Sequence, residues 1–138
     1  KTSGTANVND IKIVRMEEVL LNMAEAQYRL NGGGLATLDL LRAKRYSNFT
    51  AGSETGQQLL DAILLERRLE LAFEMDRFYT LKRLNLDMNR SATDGQFSDG
   101  TGVPANVTFI AAGDFRWQMP IPKYYRDLNP NYQQNPGY

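Results

Sequence analysis

Residues 57–84 run for 28 positions without a proline or a glycine, and this stretch limits the fold more than any other. Nothing in it interrupts a helical backbone ladder, and its apolar residues recur at three- and four-residue steps. It predicts one long helix or two helices, because 28 residues exceeds the usual globular helix. By 100° steps, Glu66, Glu70, Glu74 and Arg77 fall on one stripe, with Arg67 at its margin. Ile63, Phe73 and Leu81 lie along that stripe, and Leu60, Leu71 and Phe78 lie beside it. A solvated face would carry charge with little apolar company. These groups are therefore expected as a structural ion network half-sunk against another helix, with Arg15 or Arg42 as further partners. The competing reading makes Glu66 and Glu70 an acid–base pair acting on a glycosidic bond. Carboxylates one turn apart lie on the same side of any substrate, whereas hydrolysis needs them flanking the bond. The structural reading is favoured.

Upstream, residues 1–10 are polar and read as an arm, and residues 11–45 read as a helical hairpin. Ile11-Lys12-Ile13-Val14 alternates and suggests a short extended stretch before the first helix. From 15 to 30 the period is helical, with Met16, Val19, Leu20, Met23, Ala24, Gln27 and Tyr28 on one mostly apolar face. Asn31 and Gly32-Gly33-Gly34 end it, since glycine adopts the left-handed conformation beyond a helix at little steric cost. A second helical run spans 35–45, with Leu38, Leu41 and Arg45 on one side. The short connection makes the two helices antiparallel neighbours. The pair has about the length of one tetratricopeptide unit, with small Ala24 permitting close approach. One such pair buries too little alone and must pack on other elements. Residues 46–56 form a polar loop.

Residues 85–138 change character, to loops, short strands and a proline-rich tail. The segment 90–102 is rich in Ser, Thr, Asp and Gly. Residues 107–110 and 115–119 suggest short strands around Gly113-Asp114, and prolines at 120, 122, 130 and 136 predict an extended, turn-rich ending. Asp94 and Asp99 lack the spacing of a calcium loop, so no metal is expected. Trp117, the only tryptophan, could stack on a sugar ring. Its alternation with apolar neighbours favours a core contact. Tyr46, Phe49 and Phe97 lie in loops, and with Trp117 they are the candidate ligand-binding aromatics.

A chain of 138 residues fits one domain. Sixteen basic residues balance sixteen acidic ones, so no global field draws the chain to nucleic acid or anionic lipid. With no histidine and no cysteine, serine–histidine, cysteine–histidine and thiolate-metal chemistry cannot be assembled. No cofactor is expected. No window approaches the roughly 20 apolar residues that span a bilayer, and Lys1-Thr2-Ser3-Gly4-Thr5 lacks the apolar core of a signal peptide.

Four segments, taken in order, resemble the carboxy-terminal half of the SusD/RagB family. The first is Arg15 followed by Met16-Glu17-Glu18-Val19-Leu20-Leu21-Asn22-Met23-Ala24-Glu25-Ala26, where Glu17 departs from the usual alanine. The second is 38–44, with Asp39 for asparagine, Arg42 matching and Lys44 for arginine. In the third, Glu66-Arg67-Arg68-Leu69-Glu70-Leu71-Ala72-Phe73-Glu74 leads to Arg77, Leu81 and Arg83, with Met75 where the family has glycine and Thr80 where it has aspartate. The last joins Pro120-Ile121-Pro122 to Asn129-Pro130 and Gln134-Asn135-Pro136-Gly137-Tyr138. The resemblance implies a mainly α fold with tetratricopeptide-like helix pairs packed with a long helix. It also implies a non-catalytic lipoprotein on the outer face of the outer membrane, capturing an oligosaccharide or other nutrient. A SusC-like TonB-dependent transporter would be its partner. Family members normally run to several hundred residues and begin with a lipidated cysteine, so the chain is expected to be a fragment, with the anchor elsewhere. None of the four motifs is a ligand motif of the family.

Overall fold

A computed structural model of the chain describes residues 14–90 and 108–138. The arm at 1–10, Phe97, Asp94 and Asp99 lie outside the described residues. Length alone fits one domain, but the chain gathers into two compact units, Lys1–Asp76 and Arg77–Tyr138.

The first unit is built from α1 (Met16–Asn31), α2 (Leu35–Arg45) and α3 (Gly56–Glu70). The glycine run does two jobs. Gly32, at φ 75°, caps α1 by donating its N–H to the Tyr28 carbonyl at 2.8 Å. Gly34, at φ 109°, starts α2 so close to α1 that a Cβ there would collide with the Ala24 carbonyl oxygen. Glu17 near the start of α1 meets Arg45 at the end of α2, while Gln27 late in α1 accepts from Thr37 early in α2. The pair is therefore antiparallel, as the short connection requires. Helix α3 also runs against α1, because its last residues, Arg67 and Glu70, meet Asn22 and Arg15.

Leu21 and Ala24 from α1, Leu38 and Leu41 from α2, and Leu59 and Ile63 from α3 form the core, with Tyr28, Leu35 and Ala62 packed against it. Burying a leucine or isoleucine contributes roughly 1.5–3 kcal/mol, so these contacts hold the three helices together. The inner face of α1 overlaps the expected one only in part: Ala24 is in the core and Tyr28 packs on it. Leu21, Ala24 and Glu25 are buried, while Met16, Val19 and Met23 are 69%, 44% and 42% exposed. Helix α1 is apolar around much of its circumference, so the periodicity is satisfied by either face. The buried one packs against both α2, close at Gly34, and α3.

The stretch 57–84 is two helices. Between α3 and α4 (Asp76–Leu84) lies a turn at 71–75 in which Phe73 and Met75 adopt φ 66° and 62°. No residue in this turn is a helix breaker; polar contacts on either side of it hold the break. Arg67 donates from Nε and Nη2 to both carboxylate oxygens of Asp76, at 2.6–3.1 Å. In a continuous helix those residues would be about 13.5 Å apart along the axis. Arg15 then donates to the Glu70 backbone carbonyl at 2.7 Å, one of the carbonyls a helix end leaves unpaired.

In the second unit α4 ends at Asn85, φ 52°, whose N–H returns to the Lys82 carbonyl. Strands β1 (Met88–Asn89) and β2 (Phe109–Ile110) pair antiparallel, Met88 opposite Ile110. The expected strand at 115–119 is instead a 3-10 turn, Phe115–Trp117. Gly113 turns the chain at φ 75°, and the Asp114 carboxylate takes the Arg116 backbone N–H at 2.8 Å, so the polar side chain captures the backbone that a strand would have used. The tail departs from a wholly extended ending as well, with a short helix α5 (Lys123–Leu128) after Pro122. Proline suits a helix start because that position has no intrahelical N–H bond to lose.

The final residues form a clasp. The Gln134 side-chain amide accepts from the Ile121 N–H at 2.8 Å and donates to the Ile121 carbonyl at 3.1 Å, substituting for a strand partner. Asn135 donates to the Met119 carbonyl and the Tyr138 hydroxyl to the Gln118 carbonyl. Tyr138 stands edge-on to Phe115 with ring centres 5.0 Å apart. Gly137, at φ 98°, lies where a Cβ would meet that Phe115 ring at 2.5 Å.

Candidate functional site

Among the described residues, polar side chains gather at the junction of helix ends in the first unit and around a cavity in the second. At the junction, the beginning of α1 meets the ends of α2 and α3. Helix carboxy-termini carry partial negative charge, which suits the guanidinium groups of Arg15, Arg42 and Arg45 placed there. Glu70 receives Arg45 Nε at 2.7 Å and Nη2 at 2.8 Å, with Arg15 Nη1 at 3.2 Å. These bonds, Arg45's foremost, hold its carboxyl below the ordinary range against the opposing effect of burial. The same pairing raises Arg45. Arg45 also reaches Glu17 at 2.9 Å, and Arg15 reaches Glu74 at 3.0 Å. Glu17 is held low by its own backbone hydrogen bond and by Arg45.

Glu66 is buried. It accepts the Tyr46 hydroxyl at 2.8 Å and Arg42 Nε at 3.4 Å. The Tyr46 phenol is pushed up, chiefly because its proton is shared with Glu66. Arg42 goes on to Glu54 at 2.9 Å, and Asp39 accepts the Gly52 N–H at 2.9 Å. The loop at 46–55 is thereby tied to both α2 and α3. A Cβ at Gly52 would lie 2.9 Å from a Leu35 methyl and 3.2 Å from Arg42 Nη1, so the loop comes this close only without a side chain.

The predicted residues distribute unevenly over these places. Glu66, Arg67, Glu70 and Glu74 all enter polar contacts of the first unit. The single stripe that joined them to Arg77 does not exist, because the turn at 71–75 ends the helical phase, and Arg77 belongs to α4 in the second unit. The sequence reading missed Asn22, Asp39, Arg45, Glu54 and Asp76 as members. Arg42 and Arg45 lie one turn apart at the end of α2, and that spacing was the available signal. Tyr46 is partly exposed with its hydroxyl on Glu66, and Phe49 is half-buried. Trp117 is 6% exposed, its ring 5.5 Å from Phe78 and its N–H donated to the Ala111 carbonyl at 2.8 Å.

The cavity, of about 210 Å³, lies at the end of α4. Leu81 and Trp117 are buried in its base; Lys82, Asn85 and Gln118 are exposed at its rim. Leu86, Ala112, Gly113 and Asp114 complete the wall. Asp114 is bound by Arg116 at 2.9 Å, which lowers its carboxyl.

A family comparison matches residues 1–138 to the SusD family. The chain belongs to the SusD family. SusD-like protein P2 of Formosa agariphila is 30% identical over 137 residues, covering 91% of this chain and 25% of that protein. The crystal structure of a SusD superfamily protein from Bacteroides thetaiotaomicron superposes with a TM-score of 0.74 at 34% identity, over 93% of this chain and 28% of the other. A candidate sugar binding protein from Bacteroides vulgatus gives 0.73 at 30% identity, over 91% and 28%. The chain spans about a quarter of the length of these relatives. The mainly helical fold matches these SusD superfamily structures. Two of the family-like motifs now have physical meaning: the Glu66–Glu74 segment carries the helix junction, and the closing one makes the clasp.

Proposed function

We propose that the chain is part of a glycan-binding component of an outer-membrane uptake system, lipid-anchored on the outer surface. It captures an oligosaccharide and passes it, uncleaved, to a SusC-like TonB-dependent transporter. Membership of the SusD family carries this reading, and the likeness to a candidate sugar binding protein supports it. The carboxylate chemistry agrees. Glu66 and Glu70, the pair that a glycosidase would need, are already engaged by Tyr46, Arg42, Arg45 and Arg15. Glu70, held below the ordinary carboxylate range by Arg45 and Arg15, is a poor general acid. Affinity electrophoresis against a polysaccharide panel tests the reading. Retardation by at least one polysaccharide, without release of reducing ends, is the expected result; cleavage of the retarding polysaccharide would contradict it.

A second reading, a tetratricopeptide-like protein-interaction scaffold, draws on the exposed apolar residues Met16, Val19, Met23 and Leu30 of α1. Full-length protein passing through every gel without retardation would favour it.

A further inference from the structure

The cavity at the end of α4 has the size and chemistry of a subsite rather than of a packing defect. We infer that it holds a single neutral sugar ring; this rests on the glycan-binding reading above and makes it specific. Its volume of about 210 Å³ equals roughly seven waters at ~30 Å³ each. That is below the roughly 300–1,000 Å³ of pockets that enclose drug-sized ligands, so one ring fits and an oligosaccharide continues into solvent. Leu81 and Trp117 supply the apolar part of the lining, each with a small accessible area against which ring C–H groups can pack. Amides of Asn85 and Gln118 line the rim and both donate and accept, as sugar hydroxyls require. Lys82 and Asp114 bring opposite charges, so the lining has no net sign with which to select an ion.

The walls are held in place before any ligand arrives. Arg116 fixes Asp114 through its backbone N–H at 2.8 Å and its guanidinium at 2.9 and 3.0 Å. The Trp117 ring is pinned by its N–H to Ala111. Gly113 turns the wall at φ 75°, a conformation glycine takes at little cost.

Trp117 is the only tryptophan, so intrinsic emission reports directly on this cavity. The whole chain is titrated separately with glucose, galactose, mannose and xylose. At least one should shift the emission saturably, with a dissociation constant on the order of millimolar. Asn85→Gly keeps the left-handed backbone while deleting the amide, and Gln118→Ala alters an exposed side chain; each should weaken binding about fivefold. Emission unmoved by every sugar, in a chain that polysaccharide gels still retard, overturns the subsite and leaves glycan binding standing. Neither retardation nor emission change overturns both. A shift that survives both substitutions also overturns the subsite, because the sugar then acts from elsewhere.

Discussion

At the scale of single residues, Glu70 and Met75 carry opposite lessons. Glu70 is nearly buried and holds two arginines, one 18% and the other 39% exposed. Removing a partner from a buried pair costs about 3–5 kcal/mol, and the partial exposure of both arginines places Glu70→Ala near the lower end, at about 3 kcal/mol, by urea unfolding. The pH dependence follows from the same bonds. Glu70, Glu17 and Glu54 all have lowered folded values. Their contribution is therefore complete above the unfolded carboxylate value of 4.5, and it is lost as pH falls through the folded values. Unfolding midpoints measured from pH 7 down to pH 3 should fall steeply, and less steeply in Glu70→Ala. Met75 instead occupies a left-handed conformation, φ 62°, which glycine adopts at little steric cost. The strain of a side chain there is about 1–2 kcal/mol, so Met75→Gly should raise stability by about 1 kcal/mol, offset slightly by the freer unfolded chain. A fall in the thermal midpoint would contradict the backbone assignment.

At the scale of elements, local signals determined some boundaries and left others unmarked. Helix α2 was legible to the residue, because glycines bracket its start and Leu38 and Leu41 set its phase. The position of the break at 71–75 was not, since it contains neither glycine nor proline; Asp76 on Arg67 and Arg15 on the Glu70 carbonyl flank it. The buried face of α1 was ambiguous for a different reason: Val19 and Met23 are as apolar as Leu21, and packing against both α2, close at Gly34, and α3 chooses between them. The 3-10 turn at Phe115–Trp117 reads as a strand by alternation alone, and Asp114 overrides that alternation. The tail clasp belongs to this scale too. Gln134→Ala deletes two hydrogen bonds to Ile121, each contributing about 1 kcal/mol. Amide exchange at Ile121 should accelerate in that variant while amides in the α1–α3 core keep their protection. Loss of protection throughout would mean that the clasp does more than close the tail.

At the scale of the whole molecule, two units divide the labour in a way the sequence only outlined. The first joins three helices through a small core and a linked set of carboxylate–guanidinium bonds. The second presents a cavity between a helix end and a looped wall. The charged side chains of the first drew attention through their apolar company, and Arg15 and Arg42 were named as partners, but Asn22, Arg45, Glu54 and Asp76 were not. Ligand aromatics were the least legible part, because loop position says little about what a side chain touches: Tyr46 spends its hydroxyl on Glu66, whereas Trp117 is enclosed, the core contact its apolar neighbours favoured. The central claim is that these carboxylates hold helices together in a binding protein. Glu66→Gln tests it most directly, with urea unfolding and reducing-end release measured on the same preparations. The account predicts a loss of about 2 kcal/mol for the weakened charged bonds to Arg42 and Tyr46, with no reducing ends from either protein and glycan retardation unchanged. Unaltered stability, together with polysaccharide cleavage by the parent that the variant abolishes, would contradict it.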